Sequence, residues 1–364
     1  MNNKSVKQLV KQEINAFFKL RQTERLWHIP VLASSCVGIP LLVGLYFDNL
    51  KSGLVASMAG MVILYLPASS TIANRMTMLL VCSFVFMISY GIGISFSFDP
   101  IISAVVLGLF SMTVHWVTLY FKTRPPGSFF FIMIASISSC VPYDLHAIPE
   151  RVGLMGMGTM LACLLALIYC LLMLKINPVQ QSNSISTVIQ KNKYVNIVEA
   201  FIIGLFMFGS LLIGHMLKLQ NPYWVPISCA AVMQGASLYH IWQRVFHRIS
   251  GTFVGFALCW VLLSISKAPL SICISIIVLQ FIVEMLVVRH YALAVIFITP
   301  LTILLTEAAN PLIHDPNMLV YVRFWDITLG STLGFVGGWI LYHEKIRYLA
   351  VKRIRKARII IKGK

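Results

Sequence analysis

Ionisable side chains inside long apolar runs cost a few kcal/mol each in a membrane, so each is a candidate for chemistry. Glu284 lies about three-quarters of the way along the run 270–288, with Gln280 one turn earlier on the same helical face. That placement suits a carboxyl that loads and releases a proton as its surroundings change access. It also suits a carboxylate near the inner interface paired with Arg289 or Arg248. His115 titrates in the physiological range if wetted, or acts as a hydrogen-bonding partner between helices. Arg124, Arg244, Arg248 and Arg289 fall where apolar runs end, at expected turns. Converging there, they form a basic vestibule that concentrates an anion; the positive-inside rule accounts for them equally well. Trp224, with Tyr223 and Tyr291, can stack an aromatic ring or sit at the membrane interface. Arg323 and Asp326, one turn apart, suit a local ion pair. Arg151 holds the matching place in the first half, but Leu154 stands where an acid would be, so Arg323 and Asp326 read as a structural lock.

The elements that position these groups follow from composition. Of 364 residues, 58% are hydrophobic and 11% charged, with a mean hydropathy of +0.83. Soluble domains carry roughly 25% charged residues, so the chain reads as an all-α integral membrane protein. The net charge of +17 fits basic cytoplasmic loops better than nucleic acid. The eight cysteines sit in apolar runs without ligand spacing and read as small buried hydrophobes. No Walker loop, His-Glu-x-x-His or Gly-x-Ser-x-Gly occurs, and no enzyme activity, cofactor or metal is expected.

Residues 1–28 read as a basic amphipathic segment on the membrane surface, with no removable signal peptide. Six spans follow in 29–174: 29–47, 54–73, 76–98, 101–121, 128–141 and 151–174. A polar linker occupies 175–196, and six more spans fill 197–342: 197–217, 223–238, 249–265, 270–288, 291–307 and 324–342. The basic tail 343–364 reads as a second interfacial helix against anionic lipid. Between the eighth and ninth spans, Arg244, His247 and Arg248 read as the basic turn of a helical hairpin.

The halves look alike. A shift of 172 lays Arg151 on Arg323 and Gly158 on Gly330. A shift near 170 lays Asp99-Pro100 on Ala268-Pro269 and Arg75 on the Arg244–Arg248 stretch. The expectation is about 12 transmembrane helices arranged as two parallel six-helix repeats. With both termini cytoplasmic, all but five of the 29 Lys and Arg fall on the inner side, the five being Lys51, Arg151, Lys218, Lys267 and Arg323.

Tyr223-Trp224 at a helix start, Arg244-x3-Arg248, then Gly251-Thr252-x2-Gly255 resemble the core signature of the fusaric acid resistance protein-like (FUSC), or aromatic acid exporter, family. Arg323-Phe324-Trp325-Asp326 with Gly330 and Gly334 resembles its second signature. The resemblance implies a bacterial inner-membrane secondary transporter exporting small organic anions such as aromatic carboxylates. Proton coupling, a periplasmic adaptor (membrane fusion) protein as partner, and homo-oligomers go with that reading. Longer family members carry a sizeable cytoplasmic domain; here the linker is some twenty residues. Plant malate channels resemble the family distantly, which leaves a passive anion channel open, and a non-transporting membrane scaffold stands as a third reading.

Overall fold

The computed structural model describes residues 26–67, 71–123, 125–176, 193–235, 237–265, 268–307, 316–345, 348–349 and 352. Nearly all of the segment 1–28, most of the linker 175–196, most of the tail 343–364, and Arg124 lie outside them.

Among the described residues there are twelve α-helices and no β-strand. They are α1 (His28–Tyr46), α2 (Leu50–Ala59, continued by the 3-10 segment Gly60–Tyr65), α3 (Ile72–Ser95), α4 (Pro100–Tyr120), α5 (Phe129–Ser138) and α6 (Ile148–Ile176). Then come α7 (Lys193–Met216), α8 (Trp224–Met233), α9 (Leu238–Ile265), α10 (Pro269–Leu286), α11 (Tyr291–Glu307) and α12 (Pro316–Tyr342). Seven of them, α1, α3, α4, α6, α7, α9 and α10, are long and apolar enough to cross a bilayer. This is a multi-pass, all-helical membrane protein. Large apolar side chains such as Phe84, Leu109, Phe253 and Trp260 stay exposed on its outside, a surface suited to lipid.

The short elements depart from the expected spans. The ten residues of α5 and of α8 rise only about 15 Å, half of a hydrocarbon core of about 30 Å. The runs 128–141 and 223–238 are already short for spans, and the helices within them are shorter still. Helix α8 stops at Met233 because Gln234-Gly235 follows, and a Cβ at Gly235 would lie 2.6 Å from the Ile241 side chain.

The largest correction concerns Arg244, His247 and Arg248. They form no turn: all three lie within the first three turns of the 28-residue helix α9. The stretch is helical because its buried positions, Ile241, Arg248, Gly251, Thr252 and Gly255, share one face while Trp242, Phe246 and Phe253 face outward. Hydropathy alone reads the arginines as a loop; periodicity carries the helix through them.

Neighbour relations in the first six helices recur in the last six. Helix α4 packs on α7 as α10 packs on α1. The pairs α1 with α2, α2 with α6, α3 with α5 and α3 with α6 have counterparts in α7 with α8, α8 with α12, α9 with α11 and α9 with α12. Helix α4 starts at Pro100, the Asp99 carboxylate accepting the Ile101 and Ile102 N–H groups at 2.8 and 2.9 Å; α10 starts at Pro269. Helices α1 and α7 both end on a left-handed residue, Asp48 and Lys218, each with φ 52°. The α4–α7 contact is close because Gly108 and Gly204 face each other: a Cβ at Gly204 would stand 2.7 Å from the Gly108 carbonyl.

Candidate functional site

Helix α8 is the axis of a polar cluster built from α9, α11 and α12. Its glycine contacts set the geometry. A Cβ on Gly334 would lie 2.7 Å from the Cys229 carbonyl, and one on Gly330 would strike the Val225 carbonyl and lie 2.6 Å from Ser228 Cβ. Helix α12 therefore lies backbone to backbone on α8, and Asp326, one turn before Gly330, shares that face.

At the Trp224 end, Arg323 and Trp224 are both buried, and the guanidinium carbon sits 3.0 Å from the centre of the indole ring. Its Nη2 donates to Thr302 Oγ1 on α11 at 2.8 Å. Arg323, expected to lock onto Asp326, makes no hydrogen bond to it among the described residues. Asp326 is 0% exposed, and neither carboxyl oxygen has a hydrogen-bond partner among the described residues. The aromatic face and the hydroxyl hold Arg323 instead.

Toward the Met233 end, Arg248 is 8% exposed. Its Nη2 donates to Ser228 Oγ at 3.2 Å and its Nη1 to the Tyr291 hydroxyl at 3.4 Å. Nε has no partner, and no acid pairs with this guanidinium among the described residues. Arg244 donates from Nη1 to the Ala231 carbonyl at 2.9 Å, satisfying an open carbonyl at the end of α8, and its guanidinium lies 5.0 Å from the Tyr291 ring centre. The rings of His247 and His290, both buried, stack at 6.0 Å, and His247 lies 6.4 Å from Tyr291. A buried cation balanced only by neutral hydroxyls, beside three rings, can receive an anion with an aromatic body.

The remaining candidates lie elsewhere. Glu284 and Gln280 are buried on α10, Gln280 Nε2 donating to Glu284 Oε1 at 3.4 Å. His115 Nδ1 meets Ser128 Oγ at 2.8 Å, and Nε2 lies 3.9 Å from Glu199 Oε1 across the α4–α7 contact. His115 and Glu284 thus serve separate helix contacts. Arg289 sits half-buried between α10 and α11. Sequence reasoning missed Glu199, Thr302, Ser228 and His290. Glu199 carried one usable signal, an acid five residues before the small Gly204 at the start of an apolar run.

Among the described residues, the first six helices replace three members of the cluster by apolar ones. There Gly158 meets Ala56 and Ala59 of α2 just as Gly330 meets Val225 and Ser228 of α8. In that register Val55 stands for Trp224, Ala59 for Ser228 and Leu154 for Asp326. Arg151 keeps the place of Arg323 there, without the tryptophan, the serine and the acid around it.

Residues 205–337 match the family model for fusaric acid resistance protein-like proteins. That stretch takes in all of α8 to α11 and nearly all of α12, and so every residue of the cluster, as the two arginine motifs led us to expect. Over 148 residues, 41% of this chain, the sequence is 30% identical to the "Uncharacterized membrane protein YvaC" of Bacillus subtilis (strain 168), and the matched stretch covers 23% of that protein's length. No solved structure matches the chain.

Proposed function

We propose that this protein is a secondary transporter of the bacterial inner membrane that exports small organic anions, aromatic carboxylates among them, by exchange for protons. The observation that carries the reading is Arg248, a buried guanidinium held only by the Ser228 and Tyr291 hydroxyls. A protein gains nothing in stability from a buried charge without a counter-charge; a site that binds a carboxylate and lets it go needs one. Histidine and tyrosine rings beside it favour an aromatic body.

The scaffold in this reading is two parallel six-helix repeats with both termini cytoplasmic, supported by the matching neighbour relations of α1–α6 and α7–α12. The helices of the second and fifth places, α2, α5, α8 and α11, are shorter than their neighbours, and interrupted helices are a feature of transporter sites. A periplasmic adaptor would receive the substrate at the outer face, and a homo-oligomer is compatible with the wide apolar exterior.

The test is flux in proteoliposomes loaded with benzoate. Uphill movement driven by an imposed proton gradient, lost in Arg248→Gln, is the expected result. Current carried by benzoate with no proton gradient would replace the exporter with a passive channel. No protein-dependent flux of any kind would leave a membrane scaffold.

A further inference from the structure

A second group in the cluster is unmatched, and it has the opposite sign. Asp326 is fully buried on the face of α12 that lies against α8, and its two oxygens accept no hydrogen bond among the described residues. Arg323, three residues away and so one turn along the same helix, is turned to the Trp224 ring and Thr302. A bare carboxylate in such a place costs several kcal/mol. The cost disappears if the carboxyl holds a proton, or if Arg323 leaves the ring and comes to it. With the guanidinium on the ring and the Thr302 hydroxyl, no hydrogen bond reaches the carboxyl.

We propose that Asp326 carries the proton of the transport cycle and that Arg323 moves between Asp326 and Trp224 as its alternating partner. This rests on the transport reading above and adds the coupling group to it. With Arg323 on Trp224, as observed, Asp326 holds a proton taken from water on the outer side. When that proton leaves to water on the inner side, the only bond broken is O–H, and the guanidinium crosses one turn to the carboxylate. The Trp224 face is then open to an aromatic ring. Proton release and substrate stacking are thereby one event, which gives an exchange of one proton inward for one aromatic anion outward.

The other ionisable groups on the packed elements leave Asp326 to Arg323. On α9, Arg248 is turned to Ser228 and Tyr291, and Arg244 to the Ala231 carbonyl. On α8 it is Cys229, with Tyr223 just before the helix; on α7, Glu199 lies beside His115. The first six helices hold Leu154 at the corresponding place.

Asp326→Asn fixes the neutral form. With Arg323 then kept on Trp224, the variant should lose both proton-driven accumulation of benzoate and benzoate–benzoate exchange in proteoliposomes. Accumulation or exchange at the wild-type level in folded Asp326→Asn overturns the proposal. A second measurement does not depend on transport or on that variant. In a protein whose only tryptophan is Trp224, acrylamide should quench poorly in acid buffer and more strongly in alkaline buffer, and Arg323→Gln should abolish the difference. Quenching of Trp224 that ignores pH in the folded protein sinks the proposal even if flux is present. Absent wild-type flux with the quenching change intact sinks the transport reading alone.

Discussion

Replacing Arg248 by Gln should weaken anion binding strongly and leave the fold at least as stable. The guanidinium makes only two hydrogen bonds, both long and both to neutral hydroxyls, and a Gln amide can satisfy one of them. Exchanging a buried charge for a neutral group of similar length is neutral or stabilising by about 1 kcal/mol or more. The bound carboxylate, in contrast, loses charge-assisted hydrogen bonds together worth about 3 kcal/mol, or about 100-fold in Kd. Calorimetric titration of purified protein with benzoate reads the affinity; thermal unfolding in the same detergent reads the stability. Benzyl alcohol, with the ring and without the charge, is the control and should bind the two proteins alike. A benzoate Kd within about threefold of wild type, a change under 1 kcal/mol, refutes the reasoning. So does a large drop in melting temperature, because Arg248 would then be part of the fold rather than of a binding site.

Other perturbations separate structural from functional roles. Arg244→Ala removes the bond to the Ala231 carbonyl and should destabilise the protein by about 1.5 kcal/mol, visible as a lower melting temperature, with Arg244→Lys recovering part. Gly334→Leu must push α12 off α8, since even a Cβ there lies 2.7 Å from the Cys229 carbonyl; a loss of about 3 kcal/mol and aggregation on size exclusion are expected. His115→Ala removes the 2.8 Å bond to Ser128 and should cost about 1 kcal/mol while proton-driven flux persists, because the coupling group lies elsewhere. A single cysteine at Arg289, in a background with the native cysteines replaced, should react with a membrane-impermeant maleimide only after the inner face is exposed.

Composition and hydropathy alone establish an all-helical, membrane-embedded chain, because only helices satisfy every backbone group within lipid without closing a barrel. The starts at Pro100 and Pro269 were equally legible, since proline can open a helix and not continue one. The two arginine motifs pointed to the stretch that the family match covers. What the linear chain could not say was how short α2, α5 and α8 are, that α9 runs unbroken through Arg244 and Arg248, or which side chains meet; α11, by contrast, has the bounds expected of it. Arg323 and Asp326 stand three residues apart and look like a pair. Only the arrival of Trp224 from α8 and Thr302 from α11 takes the guanidinium away and leaves the carboxyl alone. Periodicity places residues on a common face of one helix; which neighbour covers that face is settled by the packing of helices far apart in sequence, and the chemistry of this site is a property of that packing.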